Sequence, residues 1–492
     1  MRNSSKNLGV SRVVFTGRKS RKWINTQIKF RVLIAILITV GICSQTSQAR
    51  TIVVTETDDA LLANSANDGR CTLREAINSI RQGTDQPMEN GGGPFVTGCN
   101  TFGAPFGTND RIEFSDSLDG QTVSYRVGPN GFGLTADMEF NREARDITLD
   151  ANGISRGFVV IGAEVIFNNV TLTGGDARNA PGATGGSLFV EQGSTVTLNN
   201  STITGNTAEF AGGFFARGAG TLVRLNNSEL TSNVAEVAAG GFTANGGARV
   251  EVLNSTISSN TAANLSGAFF AVGSGTQIQI ESSTLSANSA NDTAVFTVRD
   301  SASLTIENST ISGNQATTFN AIGFIGTSGI IDSPPTSVTV RSSTIFNNTT
   351  TSGNFAGFNI LGNSLVNFQN SILAGSTFSD CFVASGSGAS LVSDASSIIQ
   401  NPNTGTNSCA SNARTGIDPN LAPLGDNGGP TMTHALGSGS PALSSGRSCL
   451  ATDQRGELRP PNGCDVGSFE GEDEASFFIM PIPGRGAVIF PL

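Results

Sequence analysis

One period governs this chain. The segments Asn200-Ser201-Thr202-Ile203, Asn227-Ser228-Glu229-Leu230, Asn254-Ser255-Thr256-Ile257, Ser282-Ser283-Thr284-Leu285 and Asn308-Ser309-Thr310-Ile311 recur at intervals of 27, 27, 28 and 26 residues. Copies continue at Ser342-Ser343-Thr344-Ile345 and Asn370-Ser371-Ile372-Leu373, and Asn169 to Leu172 is an earlier one. A fixed period of this length specifies stacked units that share one continuous core.

Alignment on these segments exposes two apolar columns with strand alternation. One runs Val165, Val196, Val223, Val250, Ile278, Leu304, Val338, Val366; the other, two residues on, runs Phe167, Leu198, Leu225, Val252, Ile280, Ile306, Val340, Phe368. The residues between them, such as Thr197, Arg224, Glu251 and Gln279, are mostly polar, so these columns face in and the intervening one faces out. Two further registers hold Asn206, Asn233, Asn260, Asn288, Asn314, Asn348 and Phe214, Phe242, Phe269, Phe296, Phe324, Phe358. Coils stacked about 4.8 Å apart would let each amide bond the next and each ring pack on the next.

Leucine-rich repeats need a helix-forming half, whereas this repeat is rich in Gly, Ser, Thr and Asn. Propeller blades need about 40 residues. The pattern therefore predicts an all-β, right-handed single-stranded parallel β-helix with three short strands per coil. The expected divisions are a leader over 1–49, an N-terminal cap region over 50–130, coils over 131–380, a C-terminal cap over 381–470 and a hydrophobic hairpin or sorting tail over 471–492. The insertion carrying Pro334-Pro335 should be a surface loop.

Nine Lys and Arg without an acid, the apolar run Val32 to Cys43 and then Ser47-Gln48-Ala49 read as a signal peptide cleaved after Ala49. No later stretch is long enough to span a bilayer as a helix. The mature chain then holds 20 basic residues against 39 acidic ones and no Lys. That charge repels nucleic acid and polyanionic glycans and favours a soluble monomer at the cell surface or outside the cell.

Six Cys follow the leader: Cys71, Cys99, Cys381, Cys409, Cys449 and Cys464. An exported context favours disulfides, and proximity in the chain pairs them in that order. Zinc is the weaker reading, because no two Cys have ligand spacing and His434 is the single His. Thr72 with Glu75 forms a capping box ahead of Leu73, Ala76, Ile77 and Ile80, so a short amphipathic helix should cover the open N-terminal end. Arg74 is expected on its outer face.

Asp68-Gly69-Arg70-Cys71-Thr72-Leu73-Arg74-Glu75-Ala76-Ile77 resembles the N-terminal motif of bacterial exported proteins named for a CSLREA sequence, with Thr72 in place of Ser. Gly425-Asp426-Asn427-Gly428-Gly429-Pro430-Thr431, Gly439-Ser440-Pro441-Ala442, Asp453-Gln454-Arg455-Gly456 and Asp465-Val466-Gly467 resemble the choice-of-anchor Q domain, with Ser444 where that pattern has Asp. The repeats, with Gly185-Gly186 and Gly212-Gly213, are similar to those of polymorphic outer membrane proteins. These resemblances imply retention at the cell envelope.

Asp426, Asp453, Asp465 and Glu470, with Arg455 and Arg459, could hold calcium, or else close the solenoid through Arg-carboxylate pairs. The second reading is preferred because no contiguous ligand loop is present, and no cofactor is assigned. His434 lacks a nucleophile motif and is expected to pack or hydrogen-bond. Glu281 and Glu307 share a register and should lie about 5 Å apart, a spacing that would suit a retaining glycosidase. Arg341 and Leu253 occupy the flanking coils, so a solvated charge ladder is the preferred reading. Without Trp and with Tyr125 alone after the leader, aromatic platforms are expected to be scarce. The function expected is adhesion to a glycan or cell-envelope surface, ahead of a polysaccharide lyase or glycoside hydrolase and of a structural spacer.

Overall fold

Each Asn-Ser-Thr-Ile segment has a separate task for each residue. In the computed structural model the first residue turns the chain with positive φ, between 44° and 50° at Asn200, Asn227, Asn254, Ser282, Asn308 and Ser342. Asn tolerates this conformation better than bulkier residues. The second residue points inward: the backbone N–H of Ser201 donates to Ser228 Oγ (3.1 Å), and Ser228 donates in turn to Ser255 Oγ (3.0 Å). The third faces out and the fourth, such as Ile203 or Leu230, is fully buried. The many glycosylation-like Asn-x-Ser/Thr matches therefore follow from coil geometry.

The structure describes residues 49–59, 70–82, 99, 101–102, 106–107, 110–326, 334–352, 357–471, 477–482 and 486–491. Residues 1–48 of the expected leader and residues 327–333 of the insertion lie outside them. Strands stack from coil to coil in three long sheets of 13, 13 and 10 strands, all paired in parallel except Thr101–Phe102, which runs antiparallel to Thr51–Val54. The first contains Thr195–Asn199, the second Thr202–Thr204 and the third Phe214–Arg217. A fourth sheet of six short strands, from Thr207–Phe210 to Thr349–Thr350, was not anticipated by the three-strand reading. The first two sheets also run beyond 131–380, from Thr51–Val54 and Asp58–Asp59 to Ser390–Ser393 and Arg414–Thr415.

Both apolar columns of the first sheet pair in the predicted register and are buried. The asparagine ladder is continuous, with Nδ2 to Oδ1 distances of 2.9, 3.0, 3.0, 3.0 and 2.8 Å from Asn206 to Asn348. The phenylalanine ladder needs a correction at Phe324. Gly323 takes the inward position opposite Phe296, and Phe324 turns outward beside Thr297. A Cβ at Gly323 would fall 2.4 Å from the Phe296 ring, so the inner stack passes from Phe296 to Phe358 (6.0 Å) over a residue without a side chain.

Helix α1 (Leu73–Gln82) buries Leu73, Ala76, Ile77 and Ile80 and packs against Thr51–Val54. Its capping box is formed: the Glu75 N–H donates to Thr72 Oγ1 (3.3 Å), and Glu75 Oε2 accepts from the Thr72 N–H (2.9 Å). Arg74 is not a bare surface charge, because its guanidinium lies 5.0 Å from the Phe132 ring centre. Disulfides join Cys71 to Cys99, Cys381 to Cys409 and Cys449 to Cys464. Phe477–Ile482 and Gly486–Pro491 form an antiparallel hairpin. Among the described residues no helix is long and apolar enough to cross a membrane.

Candidate functional site: the solenoid flanks

The C-terminal segment is a strap along one flank rather than a plug in the end. It lies on the outward hydroxyls of the second sheet. Thr284 donates to the Met432 carbonyl (2.6 Å), Thr310 to Gln454 Oε1 (2.6 Å), and the Ser468 N–H to Thr344 Oγ1 (3.0 Å). Three successive coils thus present one hydroxyl each to a chain that returns more than a hundred residues later. Ala442 and Val466 pack on Ile372, Ala374 and Ile398 at its far end.

The carboxylates proposed for calcium are already bonded inside this strap. Asp453 accepts from Arg455 Nε (2.9 Å) and the Glu470 N–H (2.9 Å). Asp465 accepts from the N–H groups of Ser444 and Gly471 (both 2.6 Å). Glu470 accepts from Arg459 (2.8 Å), and burial pushes the Glu470 carboxyl up and the Arg459 guanidinium down against their mutual attraction. Asp426 is exposed and accepts from the Gly428 N–H. Oxygens filled by N–H donors do not fit calcium, and among the described residues no group of three or more potential ligands is disposed to hold a metal ion.

His434 is fixed between strap and solenoid. Its Nδ1 lies 2.7 Å from the Ala422 carbonyl and must carry the proton, so Nε2 accepts from the Ser312 hydroxyl at 2.8 Å. Both side chains are buried, beside a cavity of about 490 Å³ lined also by Phe346, Leu421 and Leu424. Burial lowers the His434 pKa, so this latch stabilises the fold fully above the unfolded value of about 6.5 and loses that contribution as pH falls below it. Asp380 acts in the opposite sense: burial raises its pKa to about 6, and its contribution is present below the unfolded value and lost as pH rises through about 6. Acidification from pH 7 to 5 should therefore destabilise the parent chain more than His434→Gln, measured as melting temperature against pH. Parallel profiles would show that His434 is not the titrating latch.

Glu281 and Glu307 are register partners on the outer face of the first sheet, as expected. Glu307 lies 3.9 Å from Arg341, whose guanidinium also donates to the Ser448 carbonyl of the strap (3.2 Å). On the same face Asn226 donates to Asn199 (3.0 Å) and Asn199 to Asn168 (2.9 Å), an outer amide ladder missed in the sequence.

The third sheet carries the other missed feature. Phe189, Phe215, Thr243, Phe270, Thr297, Phe324, Asn359 and Phe382 form one outward register column. The rings of this column are partly buried, with Phe215 only 8% exposed. The signal was present in the Phe214-Phe215 and Phe269-Phe270 doublets, which place one ring in and the next one out. Toward the N-terminal end the rings are covered: Arg156 and Arg217 flank Phe189 at 4.8 and 5.3 Å, and Arg299 lies 5.0 Å from Phe270. Beyond Arg299 the neighbouring outward positions Gly326, Leu361 and Ala384 are uncharged. The turns ahead of this region expose Phe319 by 50% and Phe378 by 40%.

No family model matches this chain, and no curated protein matches it. Among solved structures it is similar to one described as the crystal structure of pectate lyase Pel9A, at 15% identity and a TM-score of 0.40, covering 75% of this chain and 91% of that one.

Proposed function

We propose that the mature chain is an exported surface module that adheres to a glycan or an adjoining envelope surface through its solenoid flank, without chemistry of its own. The observation that carries this reading is the outward aromatic column of the third sheet. Partly buried rings on a rigid ladder, such as Phe189, Phe270 and Phe324, offer apolar area at little entropic cost, the property that suits aromatic residues to recognition surfaces. The three disulfides favour an oxidising compartment. The CSLREA-like and choice-of-anchor Q-like motifs support retention at the envelope.

Cell fractionation should place the chain at the outer surface or in the medium, and the purified mature chain should bind members of a glycan panel without releasing products. Glu281→Gln and Glu307→Gln should leave fold and binding nearly intact, since exposed ion pairs contribute about 0 to 1 kcal/mol. Turnover of a polysaccharide that either substitution abolishes would make the chain a glycosidase and overturn this reading.

A further inference from the structure

Where the strap meets the last coils, a cavity of about 640 Å³ opens between strap segments 444–448 and 461–464, and Ala395 and Arg414 of the final coils complete its lining. The two segments are tied together by the Cys449 to Cys464 disulfide and by the Gly446 N–H, which donates to the Cys464 carbonyl (2.7 Å). A Cβ at Gly446 would fall 2.7 Å from that carbonyl and 2.9 Å from Cys449 Sγ, so glycine is what lets the walls meet. Two guanidinium groups line the cavity, those of Arg414 and Arg447, and no carboxylate does. This runs against the balance of the mature chain, which holds 20 basic residues against 39 acidic ones. Arg414 is held by neutral acceptors: Nη1 donates to the Pro441 carbonyl (2.8 Å), and Nη2 to the Ser396 carbonyl (2.6 Å) and Ser445 Oγ (3.0 Å). Such partners fix the planar fork without cancelling its charge. Asp394 attracts Arg414, but the carboxylates next to the lining are already bonded. Asp394 accepts from the N–H groups of Asn370 (3.0 Å) and Ser397 (2.9 Å), and Asp465 from those of Ser444 and Gly471 (both 2.6 Å). Arg447 is exposed and supplies the second cation from the wall.

We propose that this cavity binds a single acidic sugar residue, with its carboxylate or phosphate between Arg414 and Arg447. Guanidinium groups recognise both anions through charge-assisted, often bidentate hydrogen bonds. The rest of the lining suits a polyhydroxylated body: Ser444, Ser445, Ser448 and Asn462 offer hydroxyls and an amide, and no aromatic ring is present for stacking. The volume lies within the range of about 300 to 1,000 Å³ of small-ligand sites. One residue, rather than a polymer, follows from charge. A polyanion would have to extend from the cavity over a surface with excess acid, whereas a lone anionic sugar meets the two arginines and little else. This site is separate from the aromatic column of the third sheet, and either can fail without the other.

The test is titration calorimetry of the disulfide-intact mature chain with glucuronate and glucose-6-phosphate, with glucose, acetate and inorganic phosphate as comparisons. At least one acidic sugar should bind about tenfold or more tightly than glucose and than the bare anions, and added salt should weaken it. Whichever of the two binds better assigns the anion as carboxylate or phosphate. Arg447→Gln removes an exposed cation and should weaken binding about tenfold or more while the melting temperature stays near that of the parent. Ser444→Asp places a carboxylate at the cavity and should weaken it similarly; Ser444 has φ 49°, a conformation that Asp also tolerates. Acidic-sugar binding that survives both substitutions, or no binding of either acidic sugar at millimolar concentration, would overturn the site. Glucose binding as tightly as the acidic sugars would overturn the role of the arginines, and acetate or inorganic phosphate doing so would overturn the sugar. None of these results bears on the adhesion reading, which the glycan panel and cell fractionation test by themselves.

Discussion

Replacing Asn260 with Ala should cost about 3 kcal/mol, whereas Asn226→Ala, an identical change on the outside of the same solenoid, should cost less than about 1 kcal/mol. The two asparagines differ in what their loss strands. Asn260 is fully buried, and its Oδ1 accepts from both the backbone N–H (3.1 Å) and Nδ2 (3.0 Å) of Asn233. Its own Nδ2 donates to the Leu230 carbonyl (2.8 Å) and to Asn288 Oδ1 (3.0 Å). Alanine leaves the Asn233 N–H and the Leu230 carbonyl away from water without these partners, at about 1–3 kcal/mol each. Asn226 lies where solvent can replace Asn199. Because a solenoid can open coil by coil, native-state hydrogen exchange is the suitable measurement. The Asn233 amide should exchange about a hundredfold faster in Asn260→Ala. Equal losses in the two variants would show that the inner ladder has no special role.

That contrast also marks what the sequence could reveal. Residues whose neighbours are set by the period, such as the Val165 and Phe167 columns and the asparagine ladder, were legible because each coil repeats the same environment. Phe324 was misplaced because a one-residue shift moves a strand residue to the opposite face, and only the close approach of Phe296 to Gly323 distinguishes the two registers. The strap was read as an end cap because nothing local in Thr431-Met432 announces a partner at Thr284, 148 residues away. For the same reason the Ser312 partner of His434 was invisible. The outward phenylalanines were overlooked for a different cause: Phe in a strand is ordinarily core, and the scarcity of Trp and Tyr was taken as scarcity of platforms.

Arg459→Met should release the strap while the coils beneath it stay folded. The guanidinium is 1% exposed and is the junction of the strap: it donates to Glu470 Oε2 (2.8 Å) and to the carbonyls of Asp465 (3.0 Å), Gly467 (2.6 Å) and Thr452 (3.2 Å). Removing one partner of such a pair leaves the other charge buried and uncompensated, at about 3–5 kcal/mol. Arg459→Lys should recover little of this, because an ammonium cannot reproduce the planar fork that reaches several acceptors. The strap is held to the solenoid by side-chain hydroxyls at Thr284, Thr310 and Thr344, by the His434 to Ser312 contact and by Ala442 and Val466 packing on Ile372 and Ile398, whereas the coils retain their own ladders and apolar core. Limited proteolysis of Arg459→Met should therefore cut between 416 and 471 first and leave a resistant fragment containing Val165 to Val340. Simultaneous loss of both regions would mean that the second sheet needs its cover to fold, and an uncut strap would mean that Arg459 is not its junction.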